Sequence, residues 1–570
     1  MEAKKWGFAI TLIFIFAVVP LTLLILQNPN KPWEFVDKIL GILGGDDSMY
    51  PSGNYKVNGD HIQDLSVSPN LSSCHASYGR TDLLVHCCPS ESQGEEAIID
   101  FQFPDPSTPL RVRRPAHHVD DDYIAKYKRA LTIMKSLPDS DPRSFSRQAN
   151  IHCLYCTGAY DQPHSNISID IHRKWFFFPW HRMVLHFHER IVGSLIGDDA
   201  FALPFWNWDS PDAMTLPGWY MNDPFFDDQR DISHFPPKVC DLNFHEDNDI
   251  EPEEQIHLNL AFMYKQVVSG AKTPELFMGC PYKAGEGGVC DGPGTVEVAP
   301  HNTVHKWVGS NFQPAREDMG VFYSAARDPV FYPHHANLDR VWDVWRGVHK
   351  FDLHNMDPDW LNSSFYFYDE NSQLVRIYVR DVLNTTKLRS VYEEVDLPWL
   401  NMRPKPSVPS KMTKQALKLR ENNTMLQSPR ERILSAEFGS GGQNLDSSIT
   451  VKVHRSKYNR RKQEKEEEEE VLVVHGIDVQ SDEYVKFDVY INLVDESIVS
   501  PSFSEFAGTF VHIPHGKRDA NRKTDLKLGI SEVLEDLEAD SDESIWVTLI
   551  PRTKSCTYTV IDGLQIECMR

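Results

Sequence analysis

Basic side chains are scarce in this 570-residue sequence: 58 lysine and arginine residues stand against 82 aspartate and glutamate residues, for a formal net charge of −24 at pH 7. Nucleic-acid binding depends on a concentrated positive surface. The charge balance therefore argues against a nucleic-acid partner and favours a solvated acidic surface. Internal repeats are also absent, and a chain of this length is expected to fold as several domains.

The N-terminus lacks the small-residue cleavage pattern of a secretory signal peptide. Lys4 and Lys5 precede an uncharged stretch, residues 7–27, which as a helix would span about 31 Å, close to the hydrocarbon thickness of a bilayer. Pro20 interrupts this stretch, which membrane helices tolerate. We therefore predict an uncleaved transmembrane signal-anchor at residues 1–28, with a cleaved signal peptide as the alternative.

Two further features predict that the rest of the chain is lumenal. Lysines before the anchor would remain cytosolic, and ten cysteines suit an oxidising compartment. Acceptor sequons for N-glycosylation lie at Asn70, Asn166, Asn362, Asn384 and Asn422. The expected location is the secretory pathway (endoplasmic reticulum, Golgi or vacuole), as a single-pass membrane protein whose main domain is lumenal, and not the plastid.

Composition and periodicity divide the remaining chain into parts. Helical patterns occur at residues 121–136 and after Pro179, whereas Val485, Phe487 and Val489 alternate with polar residues as in a strand with one buried face. The predicted parts are a stem (29–70), a mainly α-helical catalytic domain (71–400), a linker (401–446) and a C-terminal β-sandwich (447–570).

The helical segment contains two groups of three histidines. A single histidine is more often structural than a ligand, but two three-imidazole sites in one domain fit a pair of copper ions that meet dioxygen between them. A zinc hydrolase is disfavoured because no glutamate general base completes an H-E-x-x-H motif. The first group is His152, His172 and His181, and the second is His301, His305 and His335.

Helical spacing is regular in the second group. His301 and His305 lie four residues apart and would share one helix face. On a later helix, Asp339 and Trp342 would share the face of His335, which predicts a carboxylate that orients the ring and an aromatic wall.

Spacing is less regular in the first group. His172 and His181 are nine residues apart and cannot face one metal from an uninterrupted helix. Pro179 suits the first turn of a helix that carries His181, and it leaves His172 on the preceding loop. Cys156, four residues after His152, is expected near the same site.

Residues 70–570 resemble the plant polyphenol oxidases (catechol oxidases), part of the tyrosinase and haemocyanin superfamily of type-3 copper proteins. The resemblance is carried by both histidine groups and by four short motifs that match the family in order. These motifs are His152-Cys-Leu-Tyr-Cys156, Phe205-Trp-Asn-Trp-Asp209, Asp359-Trp-Leu361 and Lys486-Phe-Asp-Val489.

The resemblance implies a four-helix bundle around two copper ions, with the six histidines as ligands. It also implies a thioether bond between Cys156 and a ring carbon of His172. Phe322 matches the family's gate residue over the first copper, Glu297 matches a carboxylate that holds a water near the second, and His334 is a neighbour and not a ligand.

Cysteine pairing can be carried over from the family for the N-terminal part only. The resemblance implies disulfides Cys74–Cys88 and Cys87–Cys153. The cysteines left over are odd in number, so at least one is unpaired or bonded between chains. They are Cys240, Cys280, Cys290, Cys556 and Cys568.

The resemblance further implies oxidation of o-diphenols to o-quinones, with dioxygen reduced to water. Asn302 and Glu297 would deprotonate a monophenol through a water, which adds hydroxylation as a second activity. Positive charge at Arg173, Lys174 and Lys306, beside predicted ligands, suggests a phenol that bears a carboxylate. The C-terminal domain is expected to cover the entrance until a protease cuts the linker.

Two alternatives share the same motifs. A specialised phenol oxidase of the aurone-synthase or coupling type would differ only in its substrate, and a haemocyanin-like oxygen carrier would use the same metals without turnover. One departure from the family supports the secretory prediction: the usual plastid transit peptide is missing.

Overall fold

The computed structural model describes residues 66–570, apart from residues 81–82, 90–96, 164, 245–249, 282–291, 314–315, 427–437, 439–440 and 515–522. The predicted signal-anchor, most of the predicted stem, part of the predicted linker and Cys290 lie outside the described residues.

Helices dominate the region before residue 362. The helix predicted over residues 121–136 is present, and it begins where Asp120 accepts a hydrogen bond from the Tyr123 backbone N–H. The helices are α1 (Asp121–Ser136), α2 (Phe145–Cys156), α3 (Phe177–Ile196), α4 (Pro252–Tyr264), α5 (Pro274–Met278), α6 (Asn302–Val308), α7 (Phe331–His349), α8 (Pro358–Asn362), α9 (Ser410–Leu426), α10 (Lys462–Glu467) and α11 (Ser531–Asp536).

Short strands complete this helical core, and longer strands form the C-terminal domain. Those before residue 400 are β1 (Ser77–Arg80), β2 (Leu83–Val85), β3 (Ile98–Asp100), β4 (Arg111–Arg113), β5 (Ser364–Tyr368), β6 (Leu374–Tyr378) and β7 (Ser390–Tyr392). The later ones are β8 (Gln443–Asn444), β9 (Ile449–His454), β10 (Glu469–Ile477), β11 (Val485–Ile491), β12 (Phe506–His512), β13 (Thr524–Gly529), β14 (Ser544–Pro551), β15 (Val560–Ile561) and β16 (Gly563–Met569).

The C-terminal domain contains two antiparallel sheets. One has the strand order β13-β10-β16 and the other the order β12-β11-β14-β9. Two such sheets with a shared apolar core form a sandwich, so the predicted combination of a mainly helical core and a C-terminal β-sandwich is confirmed. Core and sandwich belong to one unit, Asp64–Arg570.

Strand β11 differs from its predicted polar face. All seven of its residues are buried, including Lys486 and Asp488. The Lys486 Nζ lies 2.8 Å from Asp488 Oδ1 and donates to Thr509, and Asp488 Oδ2 accepts from Arg552. Burial of these charges is possible because each is paired, a feature that alternation alone does not reveal.

The predicted linker is not irregular throughout. Residues 410–426 form α9, and Arg420 on this helix donates to the Leu493 carbonyl of the sandwich. Glu421 accepts from Lys452 of β9. This helix therefore packs on the C-terminal domain.

Candidate metal centre

Four helices bring the two histidine groups together in the core. His152 comes from α2 and His181 from α3, while His305 lies on α6 and His335 on α7. His301 immediately precedes α6. All six predicted ligands are buried, none more than 3% exposed.

Pro179 lies at the start of the helix that carries His181, as predicted from the sequence. It occupies the first turn of α3, which begins at Phe177, and His172 lies on the preceding turn. The backbone N–H of His172 donates to Asp170 Oδ1 at 3.0 Å. A loop therefore carries His172, as predicted.

Metal-site spacing is found in the second group and around His152 and His172 of the first group. Ligand atoms of His301, His305 and His335 all lie within 4.8 Å of one another. The same limit encloses ligand atoms of His152, Cys156 and His172. These distances bring Cys156 beside the first group, as its spacing from His152 suggested.

The two groups adjoin one another. The ring of His181 is centred 5.8 Å from His152 and 5.5 Å from His172, within the first group. It is also stacked on His335 of the second group, with centroids 4.4 Å apart. Two metals held by these groups would therefore be close neighbours.

Hydrogen bonds at Nδ1 fix the orientation of five of the rings. The Nδ1 atoms of His152, His181, His301, His305 and His335 lie 2.7–3.2 Å from the carbonyls of Phe322, Phe177, Glu297, Met319 and Phe331, respectively. A carbonyl can only accept, so each Nδ1 carries the proton.

The Nε2 atoms of the same five rings are buried and have no hydrogen-bond partner in the described protein. Burying five imidazole lone pairs without a partner is costly. A metal ion that accepts these lone pairs removes the cost, and a backbone bond on the other ring nitrogen is the usual support of a metal-binding histidine. The donor set therefore fits a metal.

Burial also keeps these imidazoles neutral. Desolvation lowers the pKa of His181 to about 3 and that of His305 to about 4. The pKa values of His152, His301 and His335 are lowered well below 6.5, mainly by desolvation and then by neighbouring histidines. Neutral rings keep the lone pairs that a metal needs.

Phe322 covers the first group. Its ring stacks on that of His172, with centroids 4.2 Å apart and planes 20° apart. Its carbonyl is also the acceptor for His152 Nδ1. The residue therefore contacts two predicted ligands, one through its ring and one through its backbone.

Glu297 and Asn302 flank His301 on the second side of the site. Glu297 is 2% exposed, and its Oε1 accepts from the backbone N–H of Arg173 at 2.5 Å. Asn302 Nδ2 donates to the carbonyl of Val511 at 3.4 Å. One residue thus contacts the loop of His172 and the other contacts strand β12.

Asp339 does not have its predicted role. Its carboxylate accepts from Arg182 Nε at 2.6 Å and from the Tyr392 hydroxyl at 2.5 Å, whereas His335 is oriented by the Phe331 carbonyl. Helical spacing put Asp339 on the face of His335, but the buried guanidinium of Arg182 competes for the carboxylate. Asp339 therefore joins α7 to α3.

His334 lies outside both triads. Its ring stacks on His301 at 5.7 Å, and its Nδ1 accepts from Trp208 Nε1 at 3.2 Å. His188 also lies apart, stacked on Tyr332. The aromatic wall predicted at Trp342 instead packs on Phe178.

The β-sandwich lies directly over this site. Arg173 contacts His512 of β12 at 2.6 Å, and the Lys306 ammonium lies 4.2 Å from the centre of the Tyr484 ring. Sequence reasoning missed Tyr484, Val511 and His512, because their role depends on contacts across more than 170 residues of chain.

Disulfides join Cys74 to Cys88 and Cys87 to Cys153. The second bond connects the N-terminal segment to α2, which carries His152. Cys280 is also disulfide-bonded, to a partner outside the described residues. Cys240 and Cys556 are buried thiols.

Comparisons with known families cover most of the described chain. A profile described as the common central domain of tyrosinase matches residues 142–348, which contain all six histidines. A profile for the polyphenol oxidase middle domain matches residues 355–405, and one for the chloroplastic polyphenol oxidase C-terminal domain matches residues 442–568.

Curated relatives match over nearly the whole length. Aureusidin synthase of Antirrhinum majus is 46% identical over 507 residues, covering 85% of this chain and 86% of that protein. Chloroplastic polyphenol oxidases of Vitis vinifera and Malus domestica are each 45% identical, covering 88% of this chain and 82% and 84% of those proteins.

Solved structures agree with these matches. Latent apple tyrosinase has a TM-score of 0.74 and 43% identity, covering 83% of this chain and 100% of that chain. Latent aurone synthase has a TM-score of 0.78 and 37% identity, covering 89% and 99%. An active aurone synthase described with a copper B site is 41% identical, with a TM-score of 0.55, and covers 58% and 100%.

The comparisons overturn the predicted cellular location. Relatives from V. vinifera and M. domestica are named chloroplastic, so the prediction of a membrane-anchored protein of the secretory pathway is wrong. Among the described residues, which do not include the predicted anchor, no helix has the length and hydrophobicity to cross a bilayer. An uncharged run of bilayer length reports hydrophobicity, and it does not identify the compartment to which a chain is delivered.

Proposed function

The chain belongs to the plant polyphenol oxidases of the tyrosinase family, copper-dependent oxidoreductases of phenols, and from this premise we propose that it oxidises o-diphenols to o-quinones. Two diphenol molecules give four electrons and four protons to one dioxygen, which leaves two quinones and two waters. Two copper ions per chain would carry the electrons, one held by His152, His172 and His181. The other would be held by His301, His305 and His335.

The observation that carries the proposal is the set of inward-facing Nε2 atoms. Five buried rings present a lone pair without a hydrogen-bond partner in the described protein, and a backbone carbonyl fixes each ring at Nδ1. Copper, when bound, supplies the one-electron redox chemistry and the affinity for dioxygen. The chain itself holds the rings neutral, fixes their directions and excludes bulk water.

The thioether between Cys156 and His172 is part of this proposal. Sulfur and ring atoms lie within 4.8 Å, and the loop position of His172 makes a covalent restraint useful. Forming the bond removes the thiol hydrogen and one ring hydrogen, and dioxygen as the two-electron oxidant would take them up as hydrogen peroxide. Mass analysis of the peptides that contain Cys156 and His172 checks this, because a cross-linked pair is lighter by those two hydrogens.

Hydroxylation of monophenols is the finer activity that we propose alongside. Glu297 and Asn302 lie on either side of His301, where a water held between them would take the phenolic proton. Phe322, stacked on His172, would act as the gate that orients the substrate ring. Glu297→Gln should reduce turnover of tyrosine-like monophenols more than turnover of catechol.

The β-sandwich acts, in this proposal, as a shield over a catalytic domain at residues 71–400. Contacts of Arg173, Lys306 and Asn302 with His512, Tyr484 and Val511 support it, as do the relatives described as latent. A protease that cuts the linker at residues 401–446 would allow the shield at 447–570 to leave.

Positively charged side chains beside the proposed ligands indicate the charge of the preferred substrate. Arg173 follows His172 and Lys306 follows His305, so each group has a cation next to a proposed ligand. Both side chains contact the shield, and its departure would free them to attract an anion. We therefore propose a diphenol that bears a carboxylate as the preferred substrate.

A specialised oxidase of plant secondary products is the second candidate. The relatives named aureusidin synthase and (+)-larreatricin hydroxylase, at 46% and 44% identity, favour it. A panel of simple catechols, carboxylated diphenols, chalcones and lignans separates the two candidates. Conversion of chalcones or lignans alone would refute the simple diphenol oxidase.

Metal analysis of the purified full-length protein tests the central claim. We expect two coppers per chain and quinone formation from catechol after proteolytic activation. One copper or none in fully active material would refute the paired site. Reversible oxygen binding with no oxidation of any diphenol would favour an oxygen carrier instead.

A further inference from the structure

We propose that Trp180, Tyr155 and Tyr160 form an electron-transfer chain that moves an oxidising equivalent from the first histidine group towards the protein surface. This protective activity is separate from phenol oxidation. It rests on the proposed function, because the metal centre is the source of the oxidant. Its value would be greatest when oxidant reaches the centre and no phenol is bound.

The path begins at Trp180, the one indole among the described residues that contacts both helical ligands of the first group. The ring of Trp180 is centred 5.0 Å from His181 and 6.0 Å from His152. Phe322 and Phe331 also contact these histidines, but a phenyl ring is far harder to oxidise than an indole. An electron is therefore removed more easily from Trp180 than from the phenylalanines.

Two phenols continue the path away from the centre. Tyr155 lies 5.3 Å from Trp180, and Tyr160 lies 5.4 Å from Tyr155, measured between ring centroids. Exposure rises along the series, from 0% at Trp180 to 2% at Tyr155 and 5% at Tyr160. Electron tunnelling slows steeply with distance, so three short steps between adjoining rings are faster than one long step.

The hydrogen bonds of Tyr155 are consistent with its position in the middle of the proposed electron-transfer path. Its hydroxyl donates to the Tyr366 carbonyl at 3.3 Å and accepts from the Tyr366 backbone N–H at 3.1 Å. A carbonyl is too weak a base to take the phenolic proton, so Tyr155 keeps its proton when it is oxidised and remains a strong oxidant. The hole therefore moves on to Tyr160 and does not stay at Tyr155.

Reduction of one hydrogen peroxide to two waters at the metal centre takes two electrons and two protons. Trp180 supplies the electrons one at a time, becoming an indole radical cation each time, and the two protons are balanced by those that Tyr160 releases in the two passes. Tyr155 restores Trp180 with one electron, and Tyr160 restores Tyr155 in the same way. Tyr160 releases its phenolic proton to water and becomes a phenoxyl radical. A soluble reductant of the ascorbate or diphenol class then returns one electron and one proton.

The test uses the copper-loaded full-length enzyme and its Tyr160→Phe variant. Each protein is treated with hydrogen peroxide in the absence of any phenol. Electron paramagnetic resonance then measures the phenoxyl radical, and peptide mass spectrometry measures oxidation of His152 and His181. We expect the radical signal to fall several-fold in the variant and histidine oxidation to rise several-fold.

Two further variants keep the result decisive. Trp180→Phe interrupts the first step and should give the same pattern. Tyr127→Phe is the matched control, because Tyr127 is a buried tyrosine on α1 with ring contacts to Phe201 and Phe225 and no place in the path. It should match the parent protein in both measurements.

The proposal is overturned if Tyr160→Phe and Trp180→Phe both retain the radical signal and the histidine oxidation of the parent protein. Initial rates of quinone formation from catechol are recorded on the same samples. A parent protein that forms no quinone refutes the proposed function. Normal quinone formation with unchanged radical and oxidation patterns refutes the electron-transfer chain alone.

Discussion

The two histidine groups reach similar geometry by different construction. In the second group, His305 and His335 lie on α6 and α7 and His301 immediately precedes α6. Two of the Nδ1 acceptors are the carbonyls of Glu297 and Phe331, four residues earlier in sequence. In the first group, α2 and α3 supply two rings while a turn supplies His172. Regular helix is enough to aim a ligand, and a turn is not.

His172 therefore depends on side chains from distant segments. Asp170 fixes its backbone, Phe322 stacks on its ring, and the Cys156 sulfur lies within 4.8 Å of a ring nitrogen of His172. The first group is assembled from residues 152 to 322, whereas the second spans 301 to 335. The geometry of the first group is therefore more sensitive to substitutions outside its ligands than that of the second group.

The strongest test of the comparison removes one helical ligand from each group. His152→Ala and His335→Ala should each lower quinone formation by more than about 100-fold, since loss of a ligand exceeds the 10- to 100-fold effect of losing a supporting residue. Copper should fall from two ions to one per chain in either variant, as measured by elemental analysis.

His186→Phe is the control for these variants. His186 lies on the same helix as His181, is buried against Phe101 and Phe187, and belongs to neither group. Its copper content and catechol turnover should be unchanged. Retained quinone formation in His335→Ala would contradict the second group as a metal site.

The variant Cys156→Ser should affect copper binding at the first group and leave copper binding at the second group unchanged. Without the sulfur, His172 loses its proposed restraint, and copper at the first group should bind about 10- to 100-fold more weakly. Copper at the second group should remain. Competition with a copper chelator, followed by elemental analysis, should reveal one weak and one tight ion per chain.

Cys568→Ser provides the matched cysteine control, because Cys568 lies on β16, far along the chain from both groups. Two equally tight ions in Cys156→Ser would show that the turn holds His172 unaided. The distinction between a helical and a restrained group would then be lost.

The comparison also shows what spacing can and cannot predict. His301 and His305 were assigned to one face because local sequence determines helical phase, and Pro179 located the break before α3 for the same reason. The role predicted for Asp339 was wrong because its partner, Arg182, is 157 residues away in sequence. The solvent-facing side predicted for Lys486 and Asp488 was wrong for the same reason, since their burial depends on Arg552 and Thr509 outside β11.

Location was the largest error. The hydrophobicity of residues 7–27 led us to predict a membrane anchor and a secretory location. Relatives named chloroplastic contradict that location. Residues that contact across domains, such as Tyr484 and His512, gave no local signal either. Local chemistry could be read from the sequence, whereas contacts between the core and the sandwich could not.

The free energy of unfolding should also depend on pH. This effect tests the comparison less directly, because buried histidines outside both groups contribute to it. Burial lowers the pKa of His188 from 6.5 to about 3. Below pH 6.5 the unfolded chain binds a proton that the folded chain does not, so stability falls as pH decreases. At pH 5 the loss from His188 alone is about 2 kcal/mol.

His188→Phe should remove this contribution. Its unfolding free energy, measured in urea on copper-free protein, should fall less between pH 7 and pH 5 than that of the parent protein. An unchanged pH dependence would indicate that His188 is already charged in the folded state. The remaining slope reports the other buried histidines, both those of the two groups and those outside them, such as His186 and His334.

The cations that follow His172 and His305 give the smallest expected effect and extend the comparison to substrate binding. In protein activated by proteolysis, Lys306→Gln should raise KM for a carboxylated diphenol by about 2- to 5-fold relative to catechol, the size expected for one screened charge pair of about 1 kcal/mol. Arg173→Gln applies the same test beside the first group, and Lys126→Gln, at an exposed position of α1, is the control. The group whose cation changes the KM ratio more is the one over which the carboxylate lies. Equal changes for charged and uncharged substrates in both variants would show that neither cation selects the substrate.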